Sequence, residues 1–522
     1  MHIQKILIIS PRTPRTYWSF HGVFRFLGIK SAHGSLVLIT LAALLPKKYL
    51  LRLIDMNTDD LSPSDIAWAD AVFVTGWDIH RQEIAALIGR CNAMRKPVVV
   101  GGAFATAMPD AHELAGASSV FVGEAIDRPT LERLLADLEA GNPERRYTAA
   151  RRPPISQSPI PRFDLWNFRK FADATIQLTC GCPFRCEFCA EWKTFGGPRC
   201  KAPAQVLAEL QALYDAGYRG GVFVVDDNSI GNERVAQEVV QAMLGWQMDH
   251  GSPFGFYGQA DLRLADNENL ARLMAAAGFR SMFIGIESPS DASLRRMGKN
   301  QNVGVDIAAA FTRLRAWGIE PQCGLMIGND EDDESSFARM ETFVQQMGAA
   351  RSMLGICVAM EGTDLHARVS GEGRLMSGTV GDQFKVTNIR PKHMSLAQLV
   401  AGHRRVLDAI YDAAAYFERA RRGLRELAPV HRYPASLREL RAAGLSIALQ
   451  GVLAPYRREY WKFMLAVALD DPRKLGRAFA AAVVYAHFHS YTQELRNGLG
   501  SLLEHILEIE EAGEPSLAAA AD

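Results

Sequence analysis

Uninterrupted apolar runs alternate with amphipathic stretches along the first 150 residues of the chain. The runs predicted as strands are KILIIS, LLRLIDM, DAVFVTGW, PVVVGG and SVFVGEA, and the stretches predicted as helices are SLVLITLAALLP, HRQEIAALIGRCNAM and RPTLERLLADLEAG. Apolar runs without polar alternation are typical of parallel strands that are covered on both faces. The pattern therefore predicts an α/β fold that begins with a doubly wound, Rossmann-like domain over residues 1–150. Ligands of such sheets bind at the carboxyl ends of the strands.

A second series of strands and helices follows a proline-rich linker predicted at residues 151–170. Its predicted strands are TIQLT, GVFVVDD, FGFYGQA, MFIGIES, PQCGLMIG and MLGICVAM, and a helical pattern follows each of the first five. Six such units predict a partial (β/α)6 barrel over residues 171–375, with functional groups at the strand ends. The polar residues at those ends are Asp226, Asp227, Asn228, Gln259, Glu287 and Asn329.

The last part of the chain, residues 376–522, loses the strand signals and is predicted as a mainly helical domain. The stretch LAQLVAGHRRVLDAIYDAAAYFERARRGL is predicted as one amphipathic helix, and its charged side chains as a solvated helix face. We expect these helices to pack on the barrel, and docking on a membrane surface is the alternative interpretation.

Composition indicates a soluble cytoplasmic protein of 522 residues. Lys plus Arg and Asp plus Glu both number 58, so no excess of basic charge favours nucleic acid as a partner. We find no apolar stretch near the ~18–20 residues of a membrane-spanning helix. The N-terminal apolar run is short and precedes Pro11, which is typical of a buried strand and not of a signal peptide.

Four of the eight cysteines lie within ten residues, in TCGCPFRCEFCAEW. Cys182, Cys186 and Cys189 have CxxxCxxC spacing directly after the first predicted barrel strand. Three thiolates on one loop can hold a [4Fe–4S] cluster and leave one iron open for a small molecule. A structural zinc site prefers four protein ligands, and a redox dithiol needs only two cysteines. Cys180 is predicted to be structural, with hydrogen-atom donation as its alternative role, and Tyr257 is a weaker catalytic candidate.

The cysteine loop resembles the cluster motif of radical S-adenosylmethionine (SAM) enzymes, CxxxCxΦC, where Φ is aromatic. The resemblance implies that Cys182, Cys186 and Cys189 bind the [4Fe–4S] cluster and that Phe188 lies against the adenine of SAM. It also places a set of strand-end residues on the SAM side, with GLMIG fitting the family's GxIxG motif. These residues are Asp226, Asp227, Asn228, Gln259, Glu287, Gly324 and Gly328.

An α/β domain ahead of the barrel is the arrangement of the cobalamin-binding radical SAM enzymes, and the chain resembles the hopanoid C-2 methylase group among them. The stretches that carry this likeness are TYWSF, LAALLP, IPRFDL, RGGVFVVDDNSIGN, GIESP and EGTDLHARVSGEGRL. Two departures lie near the expected active centre. The chain has FCAEWKTF where the group usually has FCDII, and Gln259 where the group usually has a glutamate.

Cobalamin is expected at the strand ends of the first domain. Trp77 could lie under the corrin ring, or be an ordinary core residue, while Gly101, Gly102 and Thr106 suit the nucleotide tail. The chain lacks the DxHxxG motif that many cobalamin domains use. His80, in DIHRQE, is expected to be a surface residue at the start of a helix and not a cobalt ligand.

The resemblance implies an enzyme that generates a 5′-deoxyadenosyl radical and C-methylates an unactivated sp3 carbon of a small or lipid-like substrate. The alternative is a radical cyclisation, ring rearrangement, epimerisation or oxidation without net methyl transfer. A sensor without turnover is a third hypothesis, and a nucleic-acid methylase is disfavoured by the balanced charge. The implied electron donor is a protein such as flavodoxin or ferredoxin.

Overall fold

The computed structural model describes residues 3–149, 152–376, 382–385, 387–428 and 436–512. It divides into two compact units. The first comprises Met1–Pro14, Lys30–Pro183 and Ala190–Trp246, and the second comprises Arg15–Ile29, Phe184–Cys189 and Gln247–Asp522. Each unit combines pieces of more than one predicted domain, so the division does not test the predicted domain boundaries. The predicted boundary at residues 150 and 151 lies outside the described residues.

The elements are numbered here in chain order. The strands are β1 Lys5–Ser10, β2 Ser31–His33, β3 Leu50–Asp55, β4 Ala71–Thr75, β5 Val98–Gly101, β6 Ser119–Val122, β7 Arg146–Thr148, β8 Phe171–Ile176, β9 Thr179–Cys180, β10 Arg199–Cys200, β11 Gly220–Val224, β12 Phe254–Ala260, β13 Phe279–Glu287, β14 Glu320–Ile327 and β15 Ser352–Ile356. The helices are α1 His21–Leu27, α2 Leu36–Leu44, α3 Pro63–Trp68, α4 Arg81–Ala93, α5 Ala103–Ala107, α6 Pro109–Leu114, α7 Arg128–Ala140, α8 Glu191–Phe195, α9 Pro203–Asp215, α10 Glu233–Asp249, α11 Glu268–Ala277, α12 Asp291–Arg296, α13 Ile307–Ala316, α14 Glu334–Met347, α15 Asp364–Gly371, α16 Leu396–Ile410, α17 Ala413–Glu426, α18 Leu437–Ser446, α19 Arg457–Asp470 and α20 Leu475–Ala512.

The first unit contains a six-stranded parallel sheet with the strand order β3-β1-β4-β5-β6-β7. The central strand β1 is almost fully apolar, and its residues 6–9 are completely buried between two hydrophobic layers. The chain passes from one side of β1 to the other between β3 and β4, so the carboxyl ends of β1 and β4 form a topological switch point. The prediction of a doubly wound sheet is confirmed.

The first unit also holds the start of the second βα series. Strand β8 lies between β2 and β11, and both pairings are parallel. Strand β2 was not predicted, because its three residues, Ser31–His33, include only one apolar side chain. After β8 the chain forms the short antiparallel pair β9 and β10, whose two-residue strands bracket the cysteine loop in sequence. The strand expected at GVFVVDD is β11, and it is followed by α10 as predicted.

In the second unit, β12, β13, β14 and β15 pair in parallel and in chain order. They coincide with the strands predicted at FGFYGQA, MFIGIES, PQCGLMIG and MLGICVAM. From Phe256 to Ala260, buried and half-buried residues of β12 alternate, so in this half of the strand one face is covered and the other is partly open. Sequential parallel order with intervening helices is the arrangement expected for a (β/α) barrel.

Helices α16 to α20 belong to the second unit. One prediction about this region is wrong. The stretch expected to form one long helix forms two, because the Asp412 side chain accepts hydrogen bonds from the backbone of Ala414 and Ala415 and caps α17. The expected solvated face is also wrong in part, since His403 and Arg419 are fully buried. Arg419 donates to the backbone oxygen of Ala349. Among the residues that the structure describes, no helix is both long and apolar enough to cross a membrane.

Candidate active site

The cysteine loop begins with a tight backbone turn in the first unit. Gly181 has a φ of +87°, and a β-carbon there would lie 2.5 Å from the backbone oxygen of Gly196. The N–H of Cys182 donates to that same oxygen at 3.1 Å. Glycine is thus required between Cys180 and Cys182 for the loop to fold back on the segment that follows it.

The three cysteines of the motif differ in burial. Cys186 is buried, Cys182 and Cys189 are half-buried, and none of the three forms a disulfide. The N–H of Cys189 donates to the carbonyl of Cys186 at 3.1 Å, which closes a turn inside the motif. Among the described residues, no group of three or more His, Cys, Asp or Glu side chains is close enough to hold one metal ion. A cubane cluster does not require such a cage, because each cysteine binds a different iron.

Cys182 lies beside the polar residues that end β11. The Asn228 amide approaches the Cys182 sulfur with 4.0 Å between the nitrogen and Sγ, a long N–H···S contact. Asn228 is itself buried, and its carbonyl accepts from the Thr179 hydroxyl at 3.3 Å. Donors to cysteine sulfur favour the thiolate and tune a bound cluster. The structure therefore brings two predicted residues, Cys182 and Asn228, together.

Asp226 is a brace for the chain just before the cysteines. Its carboxylate accepts from the N–H of Leu178 at 2.8 Å and from the Thr179 hydroxyl at 3.1 Å. Burial raises the pKa of Asp226 to about 7, although these hydrogen bonds oppose the shift. Both carboxylate oxygens are thus engaged by the protein, which indicates a supporting role for this residue.

Asp227 and Glu191 form a second acidic group in the first unit. Asp227 accepts from the N–H of Gly181 at 3.3 Å. One carboxylate oxygen of Glu191, Oε2, is buried without a hydrogen-bond partner among the described residues. Burial raises the pKa of both carboxyl groups, and the charge of Asp227 raises that of Glu191 further. Two acids without a cation, one with an unsatisfied oxygen, suit a cationic ligand.

Cys180, next to the motif in sequence, is contacted by an arginine. Arg199 donates to the Cys180 sulfur at 3.2 Å and pairs with Glu124, the residue after the strand-end Gly123, at 2.8 Å. Burial raises the pKa of Cys180 to about 12, so its thiol stays protonated. This arrangement supports the structural role that was predicted for Cys180.

In the second unit, Lys299 lies near the other two cysteines. It forms an ion pair with Glu287 at 2.9 Å, and both side chains are mostly buried. Burial alone would lower the pKa of Lys299, but Glu287 and the thiols of Cys186 and Cys189 outweigh it and raise the pKa. The Gln301 amide also contacts the Cys186 sulfur at 3.9 Å. Burial raises the pKa of the Cys186 thiol, and the charge of Lys299 and the Gln301 amide oppose that shift.

Glu287 ends β13 with a strained backbone. Its φ is +69°, which is unusual for a residue other than glycine, and the register of β13 against β14 shifts there. A β-carbon at Gly285 would lie 2.8 Å from the Lys299 nitrogen. Asn302 donates to the carbonyls of Gly285 and Ile286 and holds the strand end in place. Strain at a strand end beside a cysteine motif is typical of a functional site.

Phe188 packs in the hydrophobic cluster that contains Met326 of GLMIG, so the predicted aromatic residue and the predicted β14 motif meet. The two glycines of that motif are packed closely against side chains of the protein. A β-carbon at Gly324 would lie 2.7 Å from the Phe283 ring, and Gly328 has a φ of +84° and approaches Leu399. Packing alone therefore requires both glycines, and their contact with adenine stays a prediction.

The partly open face of the second unit's strands is rich in aromatic groups. Tyr257 and Gln259 are its half-buried residues on β12, and Gln259 is in register with Phe283. The Trp18 ring meets the Phe283 ring edge-on, with 4.6 Å between their centroids. Trp18 follows Tyr17, which is fully buried among the aromatic side chains of the C-terminal helices. This face offers a substrate apolar contacts and one amide.

Glu187, between Cys186 and Phe188, anchors the cysteine loop to α15. Arg368 donates two hydrogen bonds to the Glu187 carboxylate, at 2.8 and 3.0 Å. The Glu187 backbone also donates to Met297 and accepts from Leu365. Arg368 contacts Asp330 as well, which several cations surround. Burial alone would raise the pKa of Asp330, but Lys392, Arg374 and Arg368 outweigh it and lower the pKa.

The predicted cobalamin residues lie at strand ends of the first unit. Trp77 is 49% exposed after β4, so it is not a core residue. A β-carbon at Gly102, whose φ is +93°, would collide with Thr75. The Thr106 hydroxyl donates to the carbonyl of Gly102 at 2.8 Å and accepts from the N–H of Gly123 at 3.0 Å. Thr106 therefore braces two neighbouring strand ends.

His80 corrects a prediction, because it is buried and not a surface residue. Its Nδ1 accepts from the N–H of Trp77 at 3.0 Å, so Nε2 carries the proton and donates to the Thr13 hydroxyl at 3.2 Å. Burial lowers the pKa of His80 to about 4. Both ring nitrogens are engaged, and His80 fixes the strand end that presents Trp77.

Sequence reasoning missed candidate functional residues in each of the two units. They are Trp18, Glu191, Phe283, Lys299 and Gln301. Glu191 lies in FCAEW and Trp18 lies in TYWSF. The resemblance of these stretches to known enzymes did not predict a role for either residue. Lys299 and Gln301 lie over a hundred residues after the cysteines in KNQN, which carries no recognisable pattern.

Two family models match the chain. Residues 176–344 match the radical SAM superfamily, and residues 363–500 match a domain family of unknown function, DUF4070. The uncharacterized methyltransferase sll1242 of Synechocystis is 30% identical over 96% of this chain and 95% of its own. Hopanoid C-2 methylase of Rhodopseudomonas palustris is 28% identical over 98% of both chains.

Solved structures show the same fold. The cobalamin-dependent SAM radical enzyme OxsB, solved with aqua-cobalamin and SAM bound, has a TM-score of 0.63 at 14% identity over 98% of this chain and 80% of its own. The radical SAM methyltransferase TsrM from Kitasatospora setae, solved with cobalamin and a [4Fe–4S] cluster bound, has a TM-score of 0.55 at 14% identity over 73% of this chain and 80% of its own. The predicted fold class and the resemblance are confirmed.

Proposed function

Because this chain belongs to the radical SAM superfamily of enzymes, alongside the methyltransferase of Synechocystis, we propose that it is a cobalamin-dependent C-methyltransferase. Membership confirms the predicted [4Fe–4S] cluster and SAM as cofactors. We propose that cobalamin is the third cofactor, and that the acceptor is an unactivated sp3 carbon of a small or lipid-like molecule. The likeness to hopanoid C-2 methylase supports the lipid-like class.

Cys182, Cys186 and Cys189 would hold the cluster. The amides of Asn228 and Gln301 and the ammonium group of Lys299 fit this role, because they stabilise negative charge on sulfur. When bound, the cluster and SAM supply an organic radical that removes hydrogen from carbon, and cobalamin supplies a methyl group. The protein positions these groups and excludes water.

Asp227 and Glu191 would bind the positive charge of SAM. Neither has an ion-pair partner among the described residues, and the buried Glu191 oxygen lacks a donor. A cationic amino group would satisfy that oxygen and hold both acids in their charged form. Asp226 would support this site from behind, since its oxygens already bind Leu178 and Thr179.

The observation that carries the cobalamin proposal is a contact within the first unit. Trp77, at the end of β4, lies 6.5 Å from Phe195 between ring centroids, and Phe195 is six residues after Cys189. Arg199 joins Glu124, near the end of β6, to Cys180. The ligand-binding edge of the first sheet is thus in contact with segments on both sides of the cysteine motif, as methyl transfer between their ligands requires.

The proposed experiment is anaerobic reconstitution with iron, sulfide and cobalamin. We expect one cluster and one cobalamin per chain by absorption and electron paramagnetic resonance spectra, and methyl transfer from methyl-deuterated SAM into a polycyclic isoprenoid lipid. Cys186→Ala should lose the cluster signal and SAM cleavage, whereas the matched control Cys200→Ala should keep both. Product of unchanged mass, or full methyl transfer without cobalamin, would overturn the methyltransferase proposal in favour of a radical rearrangement.

The electron donor and the cellular location of the enzyme are also proposals. A flavodoxin- or ferredoxin-like protein would supply the electron, because a reduced cluster is needed for SAM cleavage. We further propose that the enzyme works in the cytoplasm, where eight free cysteines remain reduced.

A further inference from the structure

Exposed apolar side chains concentrate in one segment of the C-terminal helices. Of the fifteen large apolar residues that are exposed in the described part of the chain, eight lie between residues 437 and 469. We call these eight the apolar face. They are Leu437, Leu440, Ile447, Val452, Leu453, Trp461, Leu465 and Leu469. Leu437 and Leu469 are each 86% exposed, so the face contains fully solvated leucines.

The spacing of these residues places them on continuous helix faces. Trp461, Leu465 and Leu469 recur every four residues along α19 and form one stripe. The opposite side of α19 is buried, and its Phe463 stacks on Phe417 of α17 with 5.0 Å between ring centroids. Helix α19 therefore has a buried inner side that packs on α17, and its exposed outer side also carries large apolar residues.

A π-helical turn, Ile447–Leu453, joins the stripe of α19 to α18. The Trp461 indole donates to the carbonyl of Gly451 at 2.8 Å, and a β-carbon at Gly451 would lie 3.0 Å from its ring. This contact fixes Trp461 beside the exposed Val452 and Leu453. The exposed residues of the π-helical turn and of α19 are therefore neighbours, and α18 leads directly into that turn.

The segment that carries the apolar face is basic in a chain with no net charge. Residues 437–469 contain five Arg or Lys and two Glu, which gives a charge of 5 − 2 = +3. One glutamate, Glu439, caps α18, and the other, Glu459, pairs with Lys462. Arg457 and Arg458 are exposed and form no ion pair among the described residues. The charged side chains around the apolar face that lack an ion-pair partner among the described residues are therefore positive.

Leucines beside arginines with a tryptophan at the boundary are the composition of helices that lie in a membrane surface. Protein interfaces instead concentrate aromatic groups and exclude lysine from their centres. Exposed Arg457, Arg458 and Lys462 are complementary to the phosphates of anionic lipids, while the leucines reach the acyl boundary. A surface of this kind binds in the plane of the membrane and does not require a spanning helix.

We propose that the apolar face and the basic residues around it bind the surface of a membrane that contains anionic phospholipid. This inference goes beyond the proposed reaction and does not depend on it, because binding is measured without turnover. Membrane binding would also explain how a lipid-like substrate reaches the enzyme. An enzyme on the membrane surface can take an apolar substrate directly from the membrane, so that the substrate does not pass through water.

The test is flotation of the full-length chain with lipid vesicles. We expect binding to vesicles of phosphatidylcholine and phosphatidylglycerol in equal parts, weaker binding to phosphatidylcholine alone, and partial release by high salt. Leu465→Ser with Leu469→Ser should weaken binding roughly tenfold or more, and Arg457→Glu with Arg458→Glu roughly tenfold. The matched control, Leu50→Ser with Met248→Ser, changes two other exposed apolar residues and should bind as the unmodified chain does.

Circular dichroism and gel filtration of every variant accompany the flotation, so that loss of folding is recognised. Retained helicity with lost flotation supports the proposal. Equal flotation of all variants, or no flotation of the unmodified chain, overturns it. Dimers that dissociate in the leucine variant without any vesicle binding would also overturn it, because the face would then join two copies of the chain. A membrane-binding chain without methyl transfer would contradict only the proposed reaction.

Discussion

The carboxylates closest in sequence or in space to the cysteine motif have different partners in the two units. In the first unit, burial raises the pKa of Asp226, Asp227 and Glu191, and none has an ion-pair partner among the described residues. In the second unit, Glu287 pairs with Lys299 and Glu187 with Arg368. A buried charge without a partner is unstable unless a proton or a ligand neutralises it. We infer that Asp227 and Glu191 await a ligand, that Asp226 supports the chain beside them, and that Glu287 and Glu187 hold the second unit together.

The largest expected difference between the units is in how the stability contributed by a buried carboxyl group changes with pH. The pKa of Asp226 is raised from 3.8 to about 7, so the folded protein holds a proton that the unfolded chain has lost. Its contribution to stability is therefore complete below about pH 4 and is lost as the pH rises through about 7. The loss amounts to about 4 kcal/mol. Asp330, whose pKa is lowered, acts in the opposite sense, because its contribution is lost as the pH falls below about 4.

Asp226→Asn should remove most of the decline in stability between about pH 4 and 7, which amounts to about 4 kcal/mol. Asparagine can still accept from Leu178, and its Nδ2 can donate to the Thr179 hydroxyl. Urea midpoints across this pH range measure the effect. Asp215→Asn is the matched control, because Asp215 is exposed. An unchanged slope would mean that Asp226 titrates normally.

The second prediction breaks an ion pair in the second unit. Glu287→Gln should lower the free energy of unfolding by about 3 kcal/mol, because Lys299 is left buried without its partner. Glu287→Gln combined with Lys299→Met should recover part of that loss, since no charge remains buried. Denaturant unfolding of both variants measures the difference. A single variant as stable as the unmodified chain would show that the pair is dispensable and would remove the contrast between the units.

The third prediction concerns the acids without partners. Asp227→Asn should leave stability unchanged or raise it, because it removes a buried charge and keeps an acceptor for Gly181. The affinity for SAM should fall about tenfold to a hundredfold, since a charged hydrogen bond contributes about 1.5–3 kcal/mol. Equilibrium binding of SAM to the cluster-loaded protein measures this. Loss of stability without loss of affinity would place Asp227 with the structural acids.

Strand positions could be predicted because the buried strands are uninterrupted apolar runs. FGFYGQA coincides with β12, and the CxxxCxxC spacing identified the cysteine loop. The break between α16 and α17 had a local signal, since Asp412 followed by three alanines is typical of a helix start. That signal was outweighed by the continuous amphipathic pattern around it.

The remaining parts of the site depend on contacts between distant residues. Lys299 lies near Cys186, and Trp18 packs on Phe283, more than a hundred residues away in each case. Neither contact has a pattern in a single sequence, because helix and strand periods describe only neighbouring residues. His80 was misassigned for the same reason, since its side chain contacts Thr13, which is 67 residues away in sequence.

The smallest expected effect tests whether the paired acids of the second unit hold the cysteine loop in place. Arg368→Lys keeps the charge but loses the fork that donates twice to Glu187, which should weaken the anchor by about 1 kcal/mol. Iron loss from the loaded protein to a chelator should then be about fivefold faster. Arg374→Lys is the matched control, because Arg374 contacts Asp330 and Glu372 but not Glu187. Equal rates for the two variants would mean that Glu187 is held by its backbone contacts alone. A faster rate in Arg368→Lys only would show that α15, a helix in the region of unknown function, determines how firmly the cysteine loop is held.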